Sequence, residues 1–410
     1  MNRLPNKFSV LSLQFYCYPD EVGGAWKYTH EVNKRLVKRG HRVFLITCKP
    51  SDSLPDQEMV DGVQYFRIGV GESKSVLRLW CALRKSINII LDRHPVDFIH
   101  IHNPLVGFLA LLNPRLWQIT KVYHFHSLWF EEERINRHER DGKPSFWNRV
   151  KLEVILNIIR VIEWVCFFSA RSILFLSEYS KQKLMDFFPF RKTSLRVIRG
   201  GVDVEGFHPP RENVREIRQR LHLPLDRPIL LTVRRLAARM GLENLVLAMS
   251  LVVRRNPRLD FFLVIVGHGI LEAKLRSLIA EHGLQERIRM VGRLDMAQLV
   301  LYFQSADLFI LPTTFIEGFG MATAEALACG LPVLGTPVGG TVEILKSVNE
   351  SLLFKDASPE AMADLIESFL RNPQPVLALK PRCYEAALRY SWEYVVDGVE
   401  DEFYSIKHDE

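Results

Sequence analysis

A chain of 410 residues with 48% hydrophobic and 25% charged side chains has an ordinary globular composition but is long for a single core. Two domains of about 200 residues are therefore expected. The net charge of +7 is uneven, because residues 1–200 hold 31 Lys/Arg against 19 Asp/Glu and the remainder 23 against 28.

The basic half is expected to face something anionic. Nucleic acid, acidic lipid headgroups and a phosphorylated substrate all meet that demand, and an ordinary solvated surface meets it without any partner. The most apolar stretch, "EVILNIIRVIEWVCFF" (153–168), is interrupted by Arg160 and Glu163 and is too short and too charged to span a bilayer. The opening "MNRLPNKFSVLSLQFY" lacks the basic-apolar-small pattern of a signal peptide. Six cysteines are scattered without C-x-x-C pairs, which reads as buried thiols in a reducing compartment. The expectation is a cytoplasmic protein, peripheral on the inner face of the cell membrane.

In chain order, "KFSVLSLQF" reads as a buried strand, "AWKYTHEVNKRLVKRG" as a helix stopped at Gly40, and "HRVFLITC" as the next strand. Short apolar runs recur at "DFIHIHN", "KVYHFHS" and "SILFLS", separated by helical segments. After "GGVDVEGFHPPRENV", where Pro209 and Pro210 mark a boundary, the rhythm restarts. "RPILLTVRRL", "DFFLVIVGHG", "IRMVGR", "DLFILP" and "PVLGTP" are strands with helices between them. A last helix, "WEYVVDGVEDEFYSI", follows Ser391 as N-cap. This alternation predicts an α/β protein with parallel sheets covered by helices on both faces.

Ligands of such sheets sit beyond the carboxyl ends of the strands, so the residues there are the site candidates. After the first strand, Gly23 and Gly24 open a helix, as a tight turn or as a backbone seat for phosphate. His124 and His126 share one side of an extended segment, capped locally or available for proton transfer. Zinc is disfavoured there, since an H-x-H pair needs a third ligand and none stands at metal spacing. His100 and His102 repeat the pattern more weakly. Arg234, Arg235 and Arg239 lie between a strand and a helix, as phosphate forks or as a solvated cluster. "VGHGIL" is not the G-x-G-x-x-G fingerprint, so a redox dinucleotide is poorly supported.

In "DLFILPTTFIEGFGMATAEALACG" a helix is predicted to start near Gly320. Glu317 then lies in the loop before it and Glu325 in its second turn. The free N–H groups from Phe319 to Thr323 carry about half a positive charge and form a seat for a diphosphate. A carboxylate on each side is an acceptor for sugar or ribose hydroxyls.

Together these residues resemble the family 4 retaining glycosyltransferases of the GT-B fold, with Glu317 and Glu325 as the E-x7-E motif. The resemblance is dense from "ADLFILP" to "GGTVEIL". It extends through "RVIRGGVDVEGFHP", "LTVRRL", "FLVIVGHG" and "IRMVGR", and back to "GGAWKYTHEVNKRLVKRGHRV". It implies two Rossmann-like doubly wound domains facing a central cleft. Residues 1–205 would bind acceptor, 206–389 would bind donor, and a helix at about 390–410 would pack back on the first.

It further implies that Glu325 holds the donor ribose, Glu317 the donor sugar, and Arg235 the diphosphate leaving group. Phe319, Gly320 and Met321 would approach donor through their backbones, as would Gly23 and Gly24, with His126 beside the sugar. The co-substrate would be a nucleotide-diphosphate sugar, with no metal and no other cofactor. The acceptor would be a glycan or lipid-linked glycan, with an anionic membrane surface as a further partner and no nucleic acid. The family usually carries Lys where this chain has Met240, and Gly where it has Arg234. Arg239 is expected to supply the missing charge, helped by Arg234. Two other readings fit the chain less well: a nucleotide-sugar 2-epimerase of similar architecture, and a non-catalytic basic protein for membrane or nucleic acid.

Overall fold

The computed structural model describes residues 7–21, 23–69, 75–141, 146–189 and 193–408. The chain divides into two units, Met1–Arg199 with Trp392–Glu410, and Gly200–Ser391.

In the first unit the described residues form one sheet from β1 (Ser9–Leu13), β2 (Arg42–Cys48), β3 (Gln57–Val60), β4 (Val63–Ile68), β5 (Phe98–Ile101), β6 (Thr120–Phe125), β7 (Ser172–Phe175) and β8 (Ser194–Val197). The order is β3-β4-β2-β1-β5-β6-β7-β8. All pairings are parallel except β3 with β4. The strands β1, β5 and β7 are buried along their whole length, which is why they read as short apolar runs with little alternation. The hairpin β3–β4 was not expected. Its sequence signal is Asp61–Gly62, both at positive φ, between "QEMV" and "VQYFRI".

The second unit holds β9 (Ile229–Val233), β10 (Phe262–Val266), β11 (Ile288–Gly292), β12 (Leu308–Leu311) and β13 (Val333–Gly335), all parallel, in the order β11-β10-β9-β12-β13. The order reverses direction between β9 and β12. Between the carboxyl ends of those two strands lies the crevice where a doubly wound sheet binds its ligand.

The helix Trp392–His408 belongs to the first unit. Trp392 packs edge-on against Tyr28, and Phe403 stacks on Phe98 at 4.8 Å between ring centroids. Around this apolar seam Glu400 accepts from Arg39 at 2.7 Å and pairs with His41 at 2.6 Å, while Lys407 reaches Asp97 at 2.8 Å.

One buried carboxyl gives the first unit a pH signature. Glu163 is fully buried on the helix Phe146–Ser169 and accepts from the backbone N–H of Trp129 at 2.6 Å, at the start of the helix Trp129–Asp141. Burial pushes its pKa up to about 8, against the opposing pull of that hydrogen bond. A carboxyl that titrates higher when folded binds more protons in the folded state. Its contribution to stability is therefore full below the ordinary carboxylate range and is lost as pH rises toward 8. The melting temperature is expected to fall between pH 5 and pH 8, and Glu163→Gln is expected to flatten that fall in a calorimetric pH series.

Candidate active site

The crevice of the second unit is built from two loops that leave adjacent strands and tie to each other. After β9 come Arg234 and Arg235, then a single 3-10 turn Ala238–Met240 and Gly241. After β12 the chain runs through Pro312–Phe319 to the helix Met321–Ala328. Gly241 has φ +71°, and a Cβ there would lie 1.7 Å from the carbonyl oxygen of Pro312, so only glycine permits this approach. The contact is fastened on both sides. Thr314 donates its N–H to the carbonyl of Arg239 at 3.0 Å, and Arg239 donates Nη1–H to the carbonyl of Ile316 at 2.8 Å. Ile316 adopts φ +46°, a left-handed conformation costly for a β-branched residue and maintained by these ties.

This loop sets the position of Glu317. Its carboxylate is paired with Arg234, which also donates to the hydroxyl of Thr313 at 2.6 Å. Its carbonyl accepts from the N–H of Gly340 at 2.8 Å. The helix expected near Gly320 begins at Met321, with Gly320 as N-cap at φ +95° and no side-chain cap on the first N–H groups. Two threonine hydroxyls converge there. A Cβ on Gly320 would meet Thr341 Oγ1 at 2.5 Å and Thr323 Oγ1 at 3.4 Å. Both hydroxyls are buried without a protein partner, as is Nε of Arg234. Unpartnered buried polar groups at a helix N-terminus suit an oxyanion ligand.

Glu325 lies buried in the second turn of the same helix, and Phe319 is buried against Tyr390 and Gly200. Arg235 is exposed beside Arg234. The second unit thus brings together Glu317, Phe319, Gly320, Met321 and Glu325, with Arg239 fixed to the same loop.

The Arg234–Glu317 pair was not anticipated. The sequence signal was the charged residue standing where the family has glycine, which points its side chain at the loop after β12. Arg239 has a structural task, since one of its N–H groups is spent on Ile316. Met240 is buried and faces the interior. Arg239→Ala is expected to lower turnover by about a hundredfold if its remaining donors serve the leaving group. Full turnover in a steady-state assay would assign the lost lysine charge elsewhere.

His126, Gly23 and Gly24 lie in the first unit. Gly23 caps the helix Gly24–Lys38 without a side-chain hydrogen bond, and Tyr28 of that helix packs 5.6 Å from the ring of His126. His126 is half-buried, its Nε2 is 3.3 Å from Nδ1 of His102, and its Nδ1 has no protein partner. Burial lowers its pKa to about 3. At neutral pH it is therefore a neutral hydrogen-bonding group and no reservoir of protons.

Comparison with known proteins gives this geometry its class. Residues 213–388 match the model for glycosyl transferases group 1, and residues 22–205 match the model for glycosyltransferase family 4. A D-inositol 3-phosphate glycosyltransferase of Corynebacterium urealyticum is 25% identical over 388 residues, covering 91% of this chain and 88% of its own. Among solved structures, sucrose-phosphate synthase of Thermosynechococcus elongatus superposes with a TM-score of 0.82 at 21% identity, covering 98% of this chain and all of its own. The Anabaena protein HepE, solved with UDP-glucose, superposes with a TM-score of 0.73 at 16% identity, covering 97% of this chain and all of its own. The fold is GT-B, two Rossmann-like α/β domains. The chain belongs to the family 4 glycosyltransferases and is a glycosyltransferase.

Proposed function

We propose that this glycosyltransferase moves a hexose from a nucleoside-diphosphate sugar to a hydroxyl of a glycan or lipid-linked glycan, with retention of anomeric configuration, in surface-polysaccharide or glycolipid synthesis. The observation that carries this reading is the open helix end at Gly320, with Glu317 held on one side, Glu325 on the other, and unpartnered hydroxyls between. In this reading the diphosphate sits on the N–H groups after Gly320. Glu325 takes the ribose hydroxyls, and Glu317 takes the sugar. Arg235 and Arg239 balance the charge left when the C1–O bond breaks. In the first unit, His126 and the helix start at Gly23–Gly24 serve the same reaction. The acceptor oxygen bonds to C1 on the leaving-group side, and its proton passes to the departing phosphate. Positioning and fixed charge supply the acceleration, with no metal or other cofactor in the transfer. Proton NMR of the product tests the stereochemistry. The donor's anomeric configuration is expected, and an inverted product would overturn the mechanism.

A membrane-proximal acceptor is supported by the helix Phe146–Ser169. Trp147, Val150, Val154, Ile158, Val161, Trp164 and Phe168 recur every three or four residues and are all exposed. They form an apolar stripe about 30 Å long at 1.5 Å per residue. Arg149 and Lys151 are exposed near one end, within the basic half of the chain. Such a helix lies in a bilayer interface and favours anionic headgroups. Among the described residues no helix is long and apolar enough to cross a membrane. Sedimentation with phosphatidylglycerol vesicles at low salt is expected to capture the protein, and Ile158→Glu with Trp164→Glu to release it. Failure of the unaltered protein to bind would remove the membrane from the account.

A further inference from the structure

The two H-x-H segments, each short of a ligand by itself, meet in the first unit. β5 and β6 are parallel, with His100 opposite Val122 and Ile101 opposite Tyr123. The next step places His102 beside His124. Because side chains alternate along a strand, His100, His102, His124 and His126 all project from one face. The imidazoles form one group: the ring centroids of His100 and His102 are 4.0 Å apart, and those of His102 and His124 are 5.5 Å apart and nearly parallel.

His100, His102 and His124 are at most 4% exposed. Both ring nitrogens of His100, both of His124 and Nε2 of His102 have no hydrogen-bond partner in the protein. Each imidazole has an N–H and a lone pair to satisfy, so this is a large unmet polar demand in a core. One ligating nitrogen from each of the three lies within 4.8 Å of the others.

We propose that His100, His102 and His124 bind a transition-metal ion of the zinc class, at a site separate from the donor crevice of the second unit. Three imidazole nitrogens suit zinc, cobalt or copper, and bond lengths of about 2.0–2.1 Å require them roughly 3.4 Å apart. Small side-chain rotations close that difference. Burial holds all three rings neutral, which is the ligating form, and their pKa values lie well below the ordinary histidine range. Three histidines leave the fourth position of a tetrahedral site to a water molecule. Tyr28 packs 4.4 Å from the ring of His124, and its hydroxyl is buried without a partner. The role is structural: the ion clamps β5 to β6 and, through His102, fixes the ring of His126.

The test uses the full chain without a histidine tag, produced in zinc-supplemented medium and passed through a desalting column. Plasma mass spectrometry is expected to find close to one ion per chain. Cobalt in place of zinc is expected to give the visible absorption of a low-coordinate nitrogen site. Removing the metal is expected to lower Tm by about 5 °C or more, reversed by adding zinc. His100→Gln with His124→Gln is expected to abolish the stoichiometric ion, whereas His408→Gln, in the last turn of the C-terminal helix, is expected to keep it. Because the double variant risks misfolding, the unaltered protein decides first. No retained metal, together with no Tm response to zinc, cobalt or copper, would mean that the pocket is filled by water and would overturn the proposal. Equal metal in the double variant would overturn it as well. Metal content and Tm are read without any donor present, so either result leaves the assignment of the Gly320 crevice to be decided by its own test.

Discussion

Replacing Glu317 with alanine is expected to reduce glycosyl transfer by about a hundredfold or more, the loss typical for removing one preorganised polar group from a reacting centre. The carboxylate is held before any substrate arrives: Arg234 and Thr313 hold its side chain, and Gly340 holds its backbone. Its position is therefore a property of the protein, and a sugar hydroxyl binding there would meet an acceptor that needs no rearrangement. Alanine also strips Arg234 of its partner, so activity and stability fall together. Glu317→Gln separates them, since the amide oxygen still accepts from Arg234 while the charge is gone. For the glutamine variant kcat is expected to collapse, with Tm within a few degrees of the parent. A glutamine variant with full kcat would make the residue structural only.

Arg234→Ala is the second large effect, and it appears first as instability. The side chains of Arg234 and Glu317 are 9% and 14% exposed, so the pair is largely removed from water. Breaking such a pair by deleting one partner costs about 3–5 kcal/mol, because the survivor stays buried and uncompensated. For a unit of this size that corresponds to a fall in Tm of roughly 10 °C. Arg234→Lys restores the charge but not the rigid planar guanidinium whose Nη2 reaches both Thr313 and Glu317, so partial recovery is expected. A differential scanning experiment on the three proteins checks the order. Equal melting temperatures would mean that the pair contributes no net stability.

Much of this architecture could be read from residues alone, for a physical reason. Parallel strands buried on both faces are continuous apolar runs. "SVLSL", "FLVIV" and "LFIL" therefore announced β1, β10 and β12, and the helix start at Gly320 followed from glycines before an alanine-rich segment. The hairpin β3–β4 was less visible, since β3 is mostly exposed and carries only "QEMV". The E-x7-E pair was legible because it is local, eight residues along one loop and helix. What escaped were contacts between distant segments. Arg234 finds Glu317 across two loops, and the third histidine beside His124 comes from the neighbouring strand. No spacing within either segment encodes such a partner. It depends on strand order and register, which only the folded sheet supplies. The helix Phe146–Ser169 shows the same limit from the other side. Its apolar residues mark two faces, one packed in the core through Leu156, Ile159 and Phe167 and one exposed. Composition does not say which is which.

The central claim is that the helix end at Gly320, between Glu317 and Glu325, is a nucleotide-sugar site. Its most direct test is a panel of nucleotide sugars incubated with the protein, Glu317→Ala and Glu325→Ala, read by release of nucleoside diphosphate. One donor, or a narrow set, is expected to be turned over by the unaltered protein, faster with an acceptor hydroxyl present, and by neither variant. Release that persists undiminished in both variants would contradict the claim.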